Sequence, residues 1–199
     1  MKYLFISLLS ILLGGCVTTV TPAKSEYRIN TDIQVQEHRS KGCKEKSLKV
    51  GQAFSSSTLM SKHMMYAIGD TKQYAYAESL WAENPNLVVT SKIVKLMRDT
   101  NLFQSVQISK SRARNDLILE IDIEDFLQYF DESSLHSYAH ISLTLTLIDI
   151  KSNRVIATEN FDAKVDVQEL NAQGGVKGLK EALNKILKDT NAWIIGVCE

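Results

Sequence analysis

His136 and His140 stand four residues apart, a spacing at which two imidazoles share a zinc ion when they project from one turn of helix. The residues that follow alternate apolar and polar instead, which is the pattern of a strand. On an extended chain, at about 3.3 Å per residue, the two histidines lie roughly 13 Å apart, too far for two ligand bonds near 2 Å. No metal site is expected, although a turn at residue 136 would reopen the geometry. Nucleophilic hydrolysis needs an activated serine with a histidine and an acid in reach. The chain has no G-x-S-x-G, and His38, His63, His136 and His140 have no recognisable setting. Glu120, Asp122 and Glu124 form a carboxylate row, and paired acids can cleave glycosides; a solvated strand face accounts for the row more simply. Gly174-Gly175 before a helix is a weak phosphate motif without a neighbouring Lys-Ser/Thr, and a flexible helix entry is the plainer reading. No cofactor fingerprint is found, so no catalytic residue, cofactor or metal is assigned.

The three cysteines carry more information. Lys2, the apolar run 3–13 and the small pair Gly14-Gly15 lead directly to Cys16. The run is too short to span a bilayer and suits the core of a secretory signal. Leu13-Gly14-Gly15-Cys16 resembles the lipobox of bacterial lipoproteins, in which the thiol receives a diacylglycerol and the signal is cut before it. Acylated in this way, Cys16 would hold an otherwise soluble chain stably at a membrane, since two or more chains anchor firmly. Val17 stands where an Asp would resemble an inner-membrane retention signal, which favours the outer membrane. With Cys16 acylated, Cys43 and Cys198 remain, and an even remainder in an oxidising periplasm reads as a disulfide. The alternative is two independent buried thiols.

The charge balance, 23 basic against 23 acidic residues, gives no excess with which to bind a polyanion, so nucleic acid is not an expected partner. A signal at 1–15 and a polar tether at 16–25 precede a single domain over 26–199, with no internal repeat.

These residues need elements to position them. Tyr27, Ile29, Ile33 and Val35 alternate with polar residues and predict a first strand over 26–36. A charged loop at 37–46 carries Cys43, and 48–54 is a short strand. Runs at 64–68 and 72–77 flank Gly69-Asp70 as a hairpin. Asn84-Pro85 predicts a helix start, with the Asn side chain capping an orphan N–H. Leu87, Ile93, Val94 and Met97 give that helix a stripe, and Asn101 is its expected C-cap. A strand at 103–108 and a basic loop at 109–115 follow; Lys110, Arg112 and Arg114 could touch lipid phosphate, but a solvated turn is preferred. Leu117, Leu119, Ile121 and Ile123, then Ile141 to Leu147 at alternate positions, then 154–165, predict an antiparallel meander. Val176, Leu179, Leu183, Ile186, Leu187, Trp193 and Ile194 predict a closing amphipathic helix. The fold class is α+β: a mixed, largely antiparallel sheet with two helices on one face.

Tyr66, Tyr74, Tyr76 and Trp81 gather around the hairpin. Core packing suits most of them, and any that stay exposed would form a partner or lipid surface.

The lipobox, the early Tyr27, the run Tyr74-Ala75-Tyr76 through Trp81, Asn84-Pro85, the helix ending at Asn101-Leu102-Phe103, the meander and the final helix follow one another in an order that resembles the ABC-type transport auxiliary lipoproteins, the PqiC-like family. The resemblance spans nearly all of the chain after the signal, except that the cysteine pair and 41–61 have no match in its pattern. It implies a fold similar to the N-terminal domain of TolB and a non-enzymatic, cofactor-free docking or acceptor subunit at the outer membrane. The implied partners are an ABC permease, its ATPase and an MCE-domain protein that moves lipids between membranes. A lipoprotein that holds together a β-barrel or lipopolysaccharide assembly machine, and a periplasmic hydrolase, are the alternatives.

Overall fold

The structure, a computed structural model, describes residues 23–31, 35 and 42–199. The signal, Cys16, most of the tether, Ile33 and His38 lie outside the described residues. Within them the element order is β1 Ser25–Tyr27, β2 Ser47–Val50, β3 Phe54–Ser55, β4 His63–Ile68, β5 Lys72–Trp81, α1 Pro85–Asp99, β6 Ser105–Ile108, β7 Leu117–Phe130, β8 Ser137–Asp149, β9 Arg154–Asp166 and α2 Ala172–Val197.

β7 is the axis of the sheet. One edge pairs antiparallel with β8 along its length, and β8 pairs with β9, completing the meander. The other edge is shared by three short parallel strands in chain order: β2 (Leu48 beside Leu117), β3 (Phe54 beside Asp122) and β4 (Tyr66 beside Gln128). β6 extends the sheet beyond β2, β5 pairs antiparallel with β4, and β1 lies parallel to the end of β5.

Period-two alternation puts Leu117, Leu119, Ile121 and Ile123 on one face of β7. A bulge between Ile123 and Asp125 then shifts the phase, so that Phe126, Gln128 and Phe130 continue that face. Ile141, Leu143, Leu145 and Leu147 of β8, with Phe161, Ala163 and Val165 of β9, complete the wall. Both helices cover it: α2 packs on β9, β8 and β7, and α1 on β6, β2 and β7. Val89, Ile93, Leu96 and Met97 of α1 and Leu179, Leu183, Ile186 and Leu187 of α2 are buried there. The opposite face of the meander is open. The architecture is therefore the α+β sheet with two helices on one face that the residue pattern predicts.

Several local expectations are corrected. Among the described residues the first strand covers Ser25–Tyr27, and Ile29 beyond it is buried outside any strand. Asn84 holds the N-cap position of α1 without capping it; its Nδ2 donates to the Met60 carbonyl at 2.7 Å and ties the helix start to the loop before β4. Thr100 is the C-cap, and Asn101 follows in the left-handed region at φ 54°. The Cys43 and Cys198 sulfurs are bonded, which joins the end of α2 to the loop before β2.

Candidate functional site

The β4–β5 hairpin turns at Gly69, whose φ of 58° suits a residue without a Cβ. Register sets Tyr66 opposite Tyr74, and Tyr76 lies two residues on, on the same face. The Tyr66 ring stacks on Tyr74 at 5.6 Å between centroids, tilts against Tyr76 at 4.5 Å and meets Phe130 edge-on at 5.6 Å. The Tyr76 hydroxyl donates to Oε1 of Gln128 at 2.9 Å, and burial followed by the neighbouring Tyr66 pushes its pKa up. Tyr74 is 44% exposed, so the hairpin presents a braced aromatic surface.

Trp81 does not belong to that surface. It is 4% exposed, packs edge-on against Phe126 at 6.0 Å and stands beside Tyr27 of β1 in register. β1 pairs along the end of β5, and there Trp81 joins the main core cluster with Phe126. A cleft of about 430 Å³ opens next to it, lined by Tyr27, Arg28, Val88 and Lys92 among others.

The open face of the meander carries a network that residue spacing alone does not reveal. His140 lies between two aspartates, with Nδ1 2.7 Å from Oδ2 of Asp125 and Nε2 2.6 Å from Oδ2 of Asp162. The Tyr129 hydroxyl donates to the same Asp125 oxygen at 2.7 Å; burial, then this hydrogen bond, raises its pKa. Tyr129 stacks on Tyr138 at 5.1 Å, and the Lys164 ammonium sits 5.4 Å from the Tyr138 ring. Beside this column, Glu124 accepts from Thr144 at 2.7 Å and Ser142 at 2.9 Å, with Asn160 at 3.3 Å. The bulge places both Glu124 and Asp125 on this face; a regular strand would have sent one of them inward.

All three acids of the carboxylate row are exposed, but neighbours hold Glu124, which sets it apart from Glu120 and Asp122. They border a groove of about 490 Å³ beside Phe54, itself 68% exposed. His136 is in the turn before β8, where its backbone N–H donates to Asp131, and both ring nitrogens of His140 are occupied by aspartates. Among the described residues no group of three His, Cys, Asp or Glu is placed to hold a metal ion.

Gly174 and Gly175 are not a flexible entry. α2 begins at Ala172, capped by Asn171, whose Oδ1 accepts from the Gly174 N–H at 2.9 Å. Both glycines are buried, and a Cβ at Gly174 would stand 1.9 Å from the Glu169 carbonyl oxygen. Gly174 is pressed against the loop that leads into the helix, and Gly175 against Gln128 of the sheet.

Comparison with known proteins agrees with this architecture. In structure the chain is similar to protein XCC0632 from Xanthomonas campestris, of the family named DUF330. The TM-score is 0.76 at 16% identity, over 87% of this chain and 95% of that one. It is also similar to an uncharacterized protein of known crystal structure, with a TM-score of 0.61 at 13% identity, over 87% of this chain and 99% of that one. Identities this low show a shared fold alone. No curated protein matches the chain. The model of the family described as ABC-type transport auxiliary lipoprotein component matches residues 17–190, and with most of its length so covered the chain belongs to the ABC-type transport auxiliary lipoprotein family.

Proposed function

We propose that this protein is the docking or acceptor subunit of an ABC/MCE-type envelope lipid transport system. It is held by acyl chains on Cys16 at the periplasmic face of the outer membrane and has no catalytic activity or cofactor of its own. The family match carries this reading, because it makes the chain an auxiliary lipoprotein of an ABC transport system, and it begins at the residue after Cys16. The geometry is compatible with a non-enzymatic role: His140 and Glu124 of the open face are held by neighbouring side chains. The Tyr66–Tyr74–Tyr76 surface supplies rigid amphipathic area of the kind that protein partners use at low entropic cost.

A photo-crosslinking residue at position 74, activated in intact envelopes before pull-down, tests the partner. Recovery of an MCE-domain protein with the permease supports the proposal. Recovery of a β-barrel instead would favour an assembly lipoprotein. Mass spectrometry of the mature N-terminus tests the anchor separately, and an unmodified cysteine there would overturn it.

A further inference from the structure

At the end of the sheet away from the β4–β5 hairpin the surface chemistry changes. Here β6, β2, β7, β8 and β9 lie side by side, about 19 Å across at the usual strand spacing. The Ile150 N–H donates to the Asp116 carbonyl at 2.9 Å, which brings the β6–β7 loop against the β8–β9 turn. Lys110, Arg112 and Arg114 of the loop and Lys151 and Arg154 of the turn are all exposed. Among the described residues none of these five has a carboxylate within salt-bridge distance. The nearby carboxylates of Asp116 and Asp149 are turned to other partners. Asp116 accepts from the Ser47 N–H and hydroxyl at 2.8 and 2.7 Å. Asp149 accepts from the Ser152 N–H and hydroxyl at 2.8 and 2.9 Å, with the Lys46 ammonium 3.7 Å away. Glu45 and Glu120 are further acids close in sequence to this end, and the Cys43–Cys198 bond brings Glu199 to it; all three are exposed.

Aliphatic side chains stand among these cations. Ile108 is 45% exposed, Ile150 43%, Val155 60% and Ile156 47%. Ile150 lies in the turn, Ile108 ends β6, and Val155 and Ile156 open β9. Cations interspersed with exposed aliphatics are the combination that binds a lipid headgroup region, where the charges meet phosphate and the hydrocarbon enters the boundary layer. A chain whose overall charge is zero has these cations concentrated at one end. β1 runs parallel to β5 and so opposite to β7, which sets Ser25 at the end of β1 nearer the hairpin. The basic end therefore lies away from Ser25, the start of β1.

We infer that this end, formed by Ile108, Lys110, Arg112, Arg114, Lys151 and Arg154 with the aliphatics beside them, is a docking surface for an anionic phospholipid bilayer. It stands apart from the tyrosine surface assigned to protein partners. The test uses the full mature protein reconstituted through its N-terminus into neutral phosphatidylcholine vesicles. Fluorescent vesicles containing phosphatidylglycerol are then added. Should the protein stay out of the neutral vesicles, the anchor reading fails by itself, and co-flotation of the soluble protein with the anionic vesicles is measured instead. Capture of anionic over neutral vesicles by tenfold or more is expected, falling sharply in high salt. The quadruple charge reversal Lys110→Glu, Arg112→Glu, Arg114→Glu and Arg154→Glu should abolish it without changing the melting temperature by more than a few degrees, and Arg154→Glu alone should weaken it severalfold. Equal capture of neutral vesicles, capture that survives charge reversal, or binding of inorganic phosphate or polyglutamate without vesicle capture would each overturn the inference.

Discussion

The amide oxygen of Gln128 fills the space that a side chain on Gly175 would need, for a Cβ there would stand 2.0 Å from it. Gln128 is 1% exposed; its oxygen accepts a hydrogen bond from the Tyr76 hydroxyl, and its Nε2 donates to Ser137 Oγ at 2.9 Å. One buried amide therefore joins the start of α2, the start of β8 and the aromatic hairpin. It cannot swing aside without giving up both hydrogen bonds. Gly175→Ala should destabilise by about 1–3 kcal/mol through overpacking. Gln128→Ala should cost a similar amount, about 1–3 kcal/mol, by leaving buried polar groups unmet. The double variant should cost less than the sum, because the second change makes room for the first. Urea denaturation of the three variants checks this, and strict additivity would show the two sites to be independent.

Trp81 and Tyr74 lie on one strand and should respond differently. Trp81→Ala empties part of the core and should cost about 3–5 kcal/mol. Tyr74→Ala changes an exposed ring and should cost about 1 kcal/mol or less, while weakening partner recovery with the photo-crosslinking residue moved to the exposed position 73. Equal losses of stability would contradict the division of the aromatic cluster between core and surface.

The Cys43–Cys198 bond joins residues 155 apart. On the chain-entropy model a loop of that length contributes about 5 kcal/mol, with measured values often smaller. Thiol counting on denatured, unreduced mature protein should find neither Cys43 nor Cys198 free. Reduction, or the Cys43→Ala/Cys198→Ala pair, should lower the urea midpoint while leaving the circular dichroism spectrum of the fold in place.

Acid should weaken the protein in a definite window. Hydrogen bonds from Thr144 and then Ser142 hold the Glu124 carboxyl below its ordinary pKa; the Ser152 backbone and hydroxyl do the same for Asp149, and those of Ser47 for Asp116. A group whose folded pKa is depressed contributes fully above its unfolded value, near 4, and that contribution disappears as pH falls through the folded value. The denaturant midpoint should therefore be level from about pH 7 to 5 and decline below about pH 4. Glu124→Gln should make the decline shallower, and an identical slope in that variant would remove Glu124 from the account.

Much of this was readable from residue types. The meander and α2 follow from alternation and from three-and-four spacing, because both bury one face over many residues and the signal accumulates. β2, β3 and β4 are legible only as scraps, since what holds each one is a partner far ahead in the chain: Leu48 pairs with Leu117 and Phe54 with Asp122. The His140 network stayed hidden for a local reason. Glu124 and Asp125 are neighbours, and strict alternation forbids both from facing His140 and Ser142; only the bulge permits it. Asn84 shows the limit of cap rules, because a loop carbonyl competed successfully for its amide.

The shared edge of β7 also sets an order of events. Every strand that lies parallel against it is made before it, so a chain emerging N-terminus first arrives as a row of short segments with no rail to rest on until residues 117–130 follow. Such distant pairings are slow to close. A nascent chain halted ahead of β7 would thus present loose ends to any protease it met, and a factor that shields it would matter most during that interval.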